Sequence, residues 1–270
     1  MTVFTNVNKN DLDTLRELGF HDEDPKTIYE VARLRKNNIS VVYYESRKLL
    51  IQGKEDAIKK FSTKLRSLGI GKEMKKEVFR KEEGWVIGSD ETLKGDTFGG
   101  LVVASVKADG KLRIELMALG VADSKRLKDE EIMEMAYKIK RLVPCEIRSV
   151  LPEEYNKYDG VTPLLNRLHK ECGDYLKPGT HVVDKYPGCK VGDVQETKAE
   201  SKYLEVAAAS VLARAAGLAQ MRFLSKEAGF DLPLGSTHVS DALERLKESG
   251  KDFRKFTKMH FRNVRAFLER

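Results

Sequence analysis

The spacing of apolar residues divides the chain into two stretches of different character. Leucines at 12, 15 and 18 recur at a helical interval that Gly19 ends. Residues 27–35 alternate, with Ile28, Glu30, Ala32 and Leu34 on one side and Tyr29, Val31, Arg33 and Arg35 on the other, which predicts a strand. Asn37 and Asn38 predict a turn, residues 39–44 a second strand and residues 49–52 a third. Gly53 breaks the pattern, and Ala57, Ile58, Phe61, Leu65 and Leu68 then line one face of a helix closed by Gly69. Helix, three strands and helix make a small α+β unit.

From Trp85 onward, strand and helix patterns alternate over a much longer stretch. The apolar run at Trp85, Val86 and Ile87 predicts a buried strand ending at Gly88. Residues 101–108 and 111–118 predict a hairpin joined through Asp109-Gly110, which gives three consecutive strands. A helix stripe follows at Ile132, Met135, Ala136, Ile139 and Leu142, then a strand over 145–151. A second helix over 162–176 buries Leu164, Leu165, Leu168 and Cys172, and a short strand over 180–184 ends in Asp184. Ala207, Ala208, Ala209, Val211, Leu212, Ala215 and Leu218 then describe a helix apolar on most sides. Two amphipathic helices close the chain. Strands alternating with helices imply crossovers and a mixed sheet, an α/β class whose chemistry gathers at strand C-terminal ends.

Three regions result: residues 1–70 as an α+β domain, the polar and charged stretch 71–83 as a linker, and residues 84–270 as the larger domain. No run of the roughly 18 to 20 apolar residues needed to span a bilayer is evident, so no membrane partner is expected. The first residues lack the basic segment and apolar core of a signal peptide. Cys145, Cys172 and Cys189 lie far apart with no Cys-x-x-Cys pair, which argues against structural zinc and fits a cytoplasmic location. Acidic residues far outnumber His and Cys, so any metal here is a hard cation held by oxygen.

Charge sharpens the picture. The formal net charge is +7, and residues 31–80 carry 14 basic against 5 acidic side chains. Residues 241–270 carry 9 against 5. Two basic regions flanking a middle with candidate catalytic acids suit an anionic polymer as partner, although a solvated lysine-rich surface has the same composition. The N-terminal sheet is expected to present Tyr29, Arg33, Arg35, Tyr43 and Arg47 together, cations for phosphate and rings for sugars or bases.

The candidate chemistry sits in carboxylates. Asp90 and Glu91 follow the first buried strand and precede a turn rich in Gly and Thr; Asp184 ends another short apolar strand. Glu200 precedes the apolar helix on the line of Leu204, Ala208 and Val211, an inward position that a carboxylate occupies only with a partner. A surface turn holding two acids, or a first-turn Glu serving the helix dipole, gives the same pattern. His238 and His260 are candidates for a general acid or for packing.

The string IGSDETLKGDTFGGLVV resembles the first active-site motif of the type 2 ribonucleases H, in the ribonuclease HIII form. Asp-Ser-Lys-Arg-Leu at 123–127 is similar to their second signature. TKAESKYLEVAAASV is similar to the third, with Glu where ribonuclease HII has Asp, and the C-terminal Lys-x-His-Phe step at 258–261 also fits. The resemblance implies a ribonuclease H-like mixed sheet flanked by helices, with an N-terminal domain similar to half of the TATA-box binding protein. It implies an endonuclease that cuts the RNA strand of RNA/DNA hybrids, leaving 3′-hydroxyl and 5′-phosphate ends. Asp90, Glu91, Asp184 and Glu200 would hold two Mg²⁺ or Mn²⁺ ions, with Asp90 bridging them, and the enzyme would act as a monomer. Ser124, Lys125 and Lys198 would contact substrate, and Thr92, Leu93, Lys94 and Gly95 would read the ribose. Leu93 departs from the family's glycine, and its Cβ is expected to oppose a positive φ or to crowd the sugar. Two alternatives stay open: ribonuclease HII-like cutting at single embedded ribonucleotides, and a non-catalytic nucleic-acid-binding protein.

Overall fold

A computed structural model describes residues 2–27, 30–74, 82–121 and 127–269. The chain divides into two compact units, Met1–Lys81 with Ile114–Val121, and Glu82–Arg113 with Ala122–Arg270.

In the first unit, β1 (Thr2–Thr5), α1 (Asp11–Glu17), β2 (His21–Glu23), β3 (Glu30–Lys36), β4 (Ile39–Tyr44), β5 (Leu49–Gln52), α2 (Glu55–Ser67) and β6 (Lys72–Glu73) follow in order. The sheet runs β2-β3-β4-β5-β1-β6, every neighbour antiparallel. Both helices cover one face, where Leu12, Leu15, Phe61 and Leu65 meet Phe4, Leu34, Val41 and Ile51. Acids open α2 (Glu55, Asp56) and bases close it (Lys64, Arg66), which favours its dipole. Three strands escape the sequence pattern because they are only 2–4 residues long, too short to show a period. One of them, β6, takes the first residues of the stretch read as a linker and adds an edge strand beside β1.

The second unit contains β7 (Val86–Thr92), β8 (Leu101–Ala108), the start of α3 (Gly110–Leu119), α4 (Asp129–Leu142), β9 (Cys145–Val150), α5 (Pro152–Tyr155) and α6 (Val161–Leu176). Then come β10 (Thr180–Asp184), β11 (Val194–Glu196), a 3₁₀ turn (Ala199–Ser201), α7 (Leu204–Ala228), α8 (Ser240–Glu248) and α9 (Arg262–Leu268). The mixed sheet runs β11-β10-β7-β8-β9: β10 is parallel to both its neighbours, and β7-β8-β9 are antiparallel.

Residues 111–118 are not the expected strand. Asp109 Oδ1 accepts from the backbone N–H of Lys111 at 3.0 Å and of Leu112 at 2.9 Å, so it caps α3 instead of opening a hairpin turn. Asp-Gly reads either way when the following apolar residues fit both periods. The third strand of the antiparallel run is β9, which returns after two helices.

Helix α6 covers one face of the sheet, with Leu164, Leu165 and Leu168 against Leu101, Val103 and Val183. Helix α7 covers the other, with Val206 against Val86 and Val182, and Met221 against Val102. By length and composition α7 is apolar enough to cross a bilayer, contrary to the expectation of no such run. Its apolar window is 72% buried inside the fold. Close approach requires Gly88 on β7: a Cβ there would lie 2.3 Å from Val206 N and 2.4 Å from Glu205 C.

Candidate active site

Successive residues of a strand point to opposite faces, and β7 applies this rule to its two acids. Gly88 and Asp90 face α7, whose Ser210 hydroxyl hydrogen-bonds the Asp90 carboxylate. Ser89 and Glu91 face α6, where both meet the His169 ring. The parallel register pairs Val183 with Ser89, which sets Asp184, the last residue of β10, beside Asp90. Asp184 Oδ1 accepts from the Ala199 N–H at 3.0 Å and thereby anchors the 3₁₀ turn that carries Glu200. One carboxylate oxygen from each of Asp90, Asp184 and Glu200 lies within 4.8 Å of the others.

Three acids this close repel, and burial compounds the effect. Asp90 is 7% exposed. Burial, then the charges of Glu91 and Asp184, push its carboxyl up to about 8, against the opposing pull of Ser210 and the Glu91 N–H. Burial also raises Asp184; the Ala199 N–H opposes this, and Glu200 and Glu91 reinforce it. A hard divalent cation fits this donor set, because three carboxylate oxygens converging at this distance are the hard oxygen ligands such a cation prefers.

Glu91 does not join the close trio. Burial pushes it upward, but the His169 ring and the Lys94 ammonium outweigh that and hold it below the usual carboxylate range. Lys94 Nζ donates to Oε1 at 2.6 Å, and His169 Nε2 lies 3.3 Å from Oε2. Behind it, Ser89 Oγ is 2.8 Å from both His169 Nδ1 and His181 Nε2.

The ribonuclease HII family model matches residues 87–264. Ribonuclease HIII from Bacillus licheniformis is 32% identical, with 87% of each chain covered. The chain belongs to the type 2 ribonuclease H family, in its ribonuclease HIII group. Among solved structures, Bst-RNase HIII in complex with Mn²⁺ is similar over 99% of this chain and 98% of its own, at a TM-score of 0.64 and 26% identity. Aquifex aeolicus RNase H3 is similar over 95% of this chain and 98% of its own, at a TM-score of 0.57 and 26% identity. Membership makes the protein a ribonuclease H, and the acid corner at the ends of β7 and β10 is its candidate active site.

In this ribonuclease H the loop after Asp-Glu behaves differently from the expectation. Leu93 does adopt a positive φ, +63°, and its side chain is buried against Phe98, Val102, Met221 and Leu224, so it turns away from the loop surface. Gain from core burial offsets the backbone cost that its Cβ incurs. Thr92 ends β7, while Lys94 and Gly95 stand at the surface. Glu200 lies in the 3₁₀ turn before α7, not on the helix stripe expected for it. Lys198 is exposed with φ +55° at the start of that turn.

The basic sheet face does not assemble as expected. Arg33 and Arg35 share one face, but Tyr43 pairs with Ala32 on the opposite one, where its hydroxyl donates to the Val7 carbonyl at 3.1 Å inside the core. The unbroken register from the Asn37-Asn38 turn puts Val42 and Ser40, not Tyr43, opposite Arg33 and Arg35; a bulge between Glu30 and Ala32 lies beyond that run. Arg33 is held by Glu30 and Arg35 by Glu23. Arg47 sits in a turn with φ +58° and donates to Asn8 Oδ1 at 2.5 Å. Tyr29, Ser124 and Lys125 lie outside the described residues. His238 is exposed, and His260 stacks on Tyr155 with ring centroids 5.6 Å apart. Ser89, His169, His181 and Ser210 were not singled out from the sequence. The available signal was His169 sitting on the apolar stripe of Leu165, Leu168 and Cys172.

Proposed function

We propose that the protein hydrolyses the RNA strand of RNA/DNA hybrids at the corner formed by Asp90, Asp184 and Glu200, leaving 3′-hydroxyl and 5′-phosphate ends. The observation that carries this reading is the convergence of those three acids, from segments 110 positions apart, within 4.8 Å. Bound Mg²⁺ or Mn²⁺ would supply Lewis-acid stabilisation of the developing phosphate charge and a more acidic water, held by Asp90, Asp184 and Glu200 with Glu91 contributing from its own face. The chain's own part is to keep these carboxylates fixed, with Asp90 buried: Ser210 and the Glu91 N–H hold Asp90, and the Ala199 N–H holds Asp184.

Substrate holding falls to cations. Lys94, half exposed beside Glu91, and Lys198, at the Glu200 turn, are placed to meet phosphate oxygens. We assign the first unit to hybrid binding through the sheet face that carries Arg33 and Arg35. Its two helices on one face of an antiparallel sheet support the expected likeness to half of the TATA-box binding protein. Burial of α7 supports a role without a membrane, and the free Cys145, Cys172 and Cys189 support a cytoplasmic one.

The test is cleavage of an end-labelled hybrid with and without chelator, by the parent and by Asp90→Asn. Cleavage that needs Mg²⁺ or Mn²⁺ and disappears in Asp90→Asn, with hybrid binding retained, is expected. Undiminished cutting by the variant, or none by the parent with either metal, refutes the proposal. A duplex with one embedded ribonucleotide, assayed in parallel, is expected to be cut weakly or not at all.

A further inference from the structure

We propose that Ser89, His169 and His181 form a buried hydrogen-bonded brace that positions Glu91 for catalysis, His169 being the residue through which the brace acts. The inference rests on the nuclease reading above for what Glu91 does, but the brace itself is a matter of geometry.

All three braces are out of solvent: Ser89 and His169 are fully buried and His181 is 5% exposed. They come from three elements, β7, α6 and β10, and are separated by 80 and 92 positions from Ser89. Their polar contacts are mutual. Ser89 Oγ stands 2.8 Å from His169 Nδ1 and 2.8 Å from His181 Nε2, and His169 Nε2 stands 3.3 Å from Glu91 Oε2.

The proton count leaves little freedom. A carboxylate only accepts, so His169 Nε2 carries a proton and donates it to Glu91. A serine hydroxyl has one proton to give and two lone pairs, so at most one of its ring neighbours accepts from it and at least one donates to it. With neutral rings Ser89 donates to His169 Nδ1 and accepts from His181 Nε2–H; if His169 Nδ1 donates instead, that ring carries both protons as an imidazolium, and in every case the Nε2–H stays on Glu91. The orientation of that carboxylate is therefore fixed from behind by groups that water cannot reach.

The rings themselves are locked by packing. A Cβ at Gly173 of α6 would fall 2.4 Å from His181 Cε1 and Nδ1, so the glycine exists to admit the ring. The His181 backbone N–H donates to Asp193 Oδ2 at 2.8 Å, and the His169 ring lies 5.3 Å from that of Tyr186. With Oε2 held by this brace, Oε1 is the oxygen turned to Lys94, whose side chain is 41% exposed and free to exchange. The brace also pins β7 to β10 one residue short of Asp90 and three short of Asp184. It therefore sets the spacing of the two acid-bearing strand ends as well as the angle of Glu91.

The experiment compares His169→Leu, which removes the donor, with His169→Gln, whose amide N–H can replace it, in the full-length protein. Partners that orient ligating groups are typically worth about 10- to 100-fold in metal affinity or activity. For His169→Leu we expect a loss of about tenfold or more in calorimetric Mn²⁺ affinity and in kcat on the hybrid, with KM unchanged, and recovery of most of both in His169→Gln. Ser89→Ala, which removes a single oxygen, serves if the leucine variant does not fold, and is expected to lower both by a smaller factor. Histidine ¹⁵N NMR of the chelated parent is expected to show His169 Nε2 protonated. Unchanged Mn²⁺ affinity and kcat in a folded His169→Leu or in Ser89→Ala, no rescue by glutamine, or an unprotonated Nε2 overturns the proposal. Should the parent cut no hybrid, the nuclease reading fails, and Mn²⁺ affinity and the NMR still judge the brace.

Discussion

Replacing Leu93 separates two opposing contributions that the loop after Asp-Glu holds together. The residue sits at φ +63° and is 4% exposed, with its side chain in the cluster of Phe98, Val102, Met221 and Leu224. Truncating a buried leucine to alanine costs about 2–5 kcal/mol, and holding any Cβ in the left-handed region costs about 1–2 kcal/mol. Leu93→Ala loses the burial and keeps the backbone cost, for a net destabilisation of about 3 kcal/mol. Leu93→Gly loses the same burial and sheds the backbone cost, but adds about 0.5–1 kcal/mol for the greater freedom of glycine in the unfolded chain. Its net loss is about 2 kcal/mol. Glycine is thus expected to be the milder change, the reverse of the order in an ordinary helix or strand. Urea unfolding followed by Trp85, the one tryptophan and a member of the second unit, reads this directly at constant m. An alanine variant at least as stable as the glycine variant, or a cost below about 0.5 kcal/mol in either, would mean that Leu93 is not seated as described.

Other perturbations follow from the buried charges. Asp90 has a folded-state pKa of about 8 against an ordinary 3.8. The proton is therefore bound more tightly in the folded state, and the stability it contributes is full below about pH 4 and lost as pH rises through about 8. Melting of the chelated protein should fall across that window. Asp90→Asn should flatten the fall, by at most about 6 kcal/mol from roughly four pKa units, and abolish cleavage. Lys258 is fully buried, its Nζ donating to the carbonyls of Asp96 at 2.6 Å and Gly99 at 2.8 Å. Burial, opposed by the Asp96 charge, brings its pKa down to about 7 from 10.5. Stability is then lost as pH falls from about 10 toward 7, and Lys258→Met should remove that slope in thermal scans. Arg113 Nε lies 3.2 Å from Glu205 Oε1, and the Glu205 side chain is fully buried. Arg113→Met should cost about 3–5 kcal/mol in denaturant unfolding, and the double variant with Glu205→Leu distinctly less than the two single losses together.

Much of the catalytic corner was legible along the chain, because each acid follows a local rule. Asp90 and Asp184 follow short apolar runs, and runs of that kind become strands; β7 continues past its run to Thr92 and carries Asp90 within it, while Asp184 closes β10. The opposite orientation of Asp90 and Glu91 is also contained in the sequence, since neighbours on a strand must part. Residues 111–118 fit both a strand and a helix, and only the Asp109 cap, a contact between backbone and side chain, decided for the helix. Tyr43 takes the core face because the Asn37-Asn38 turn sets it opposite Ala32, while Arg33 and Arg35 stand opposite Val42 and Ser40; which residues of two strands share a face depends on that pairing and not on the alternation of either strand alone.

What lay beyond the sequence is every relation that depends on which elements become neighbours. The parallel register of β10 on β7 brings Asp184 to Asp90, and a backbone hydrogen bond from Ala199 then draws in Glu200. Ser89, His169 and His181 meet across intervals of 80 and 92 residues. Local spacing determines which side chains can be carboxylate donors and which face each one takes. Distances between donors are decided by sheet order and by glycines that let helices close, because those arise only when the whole core packs.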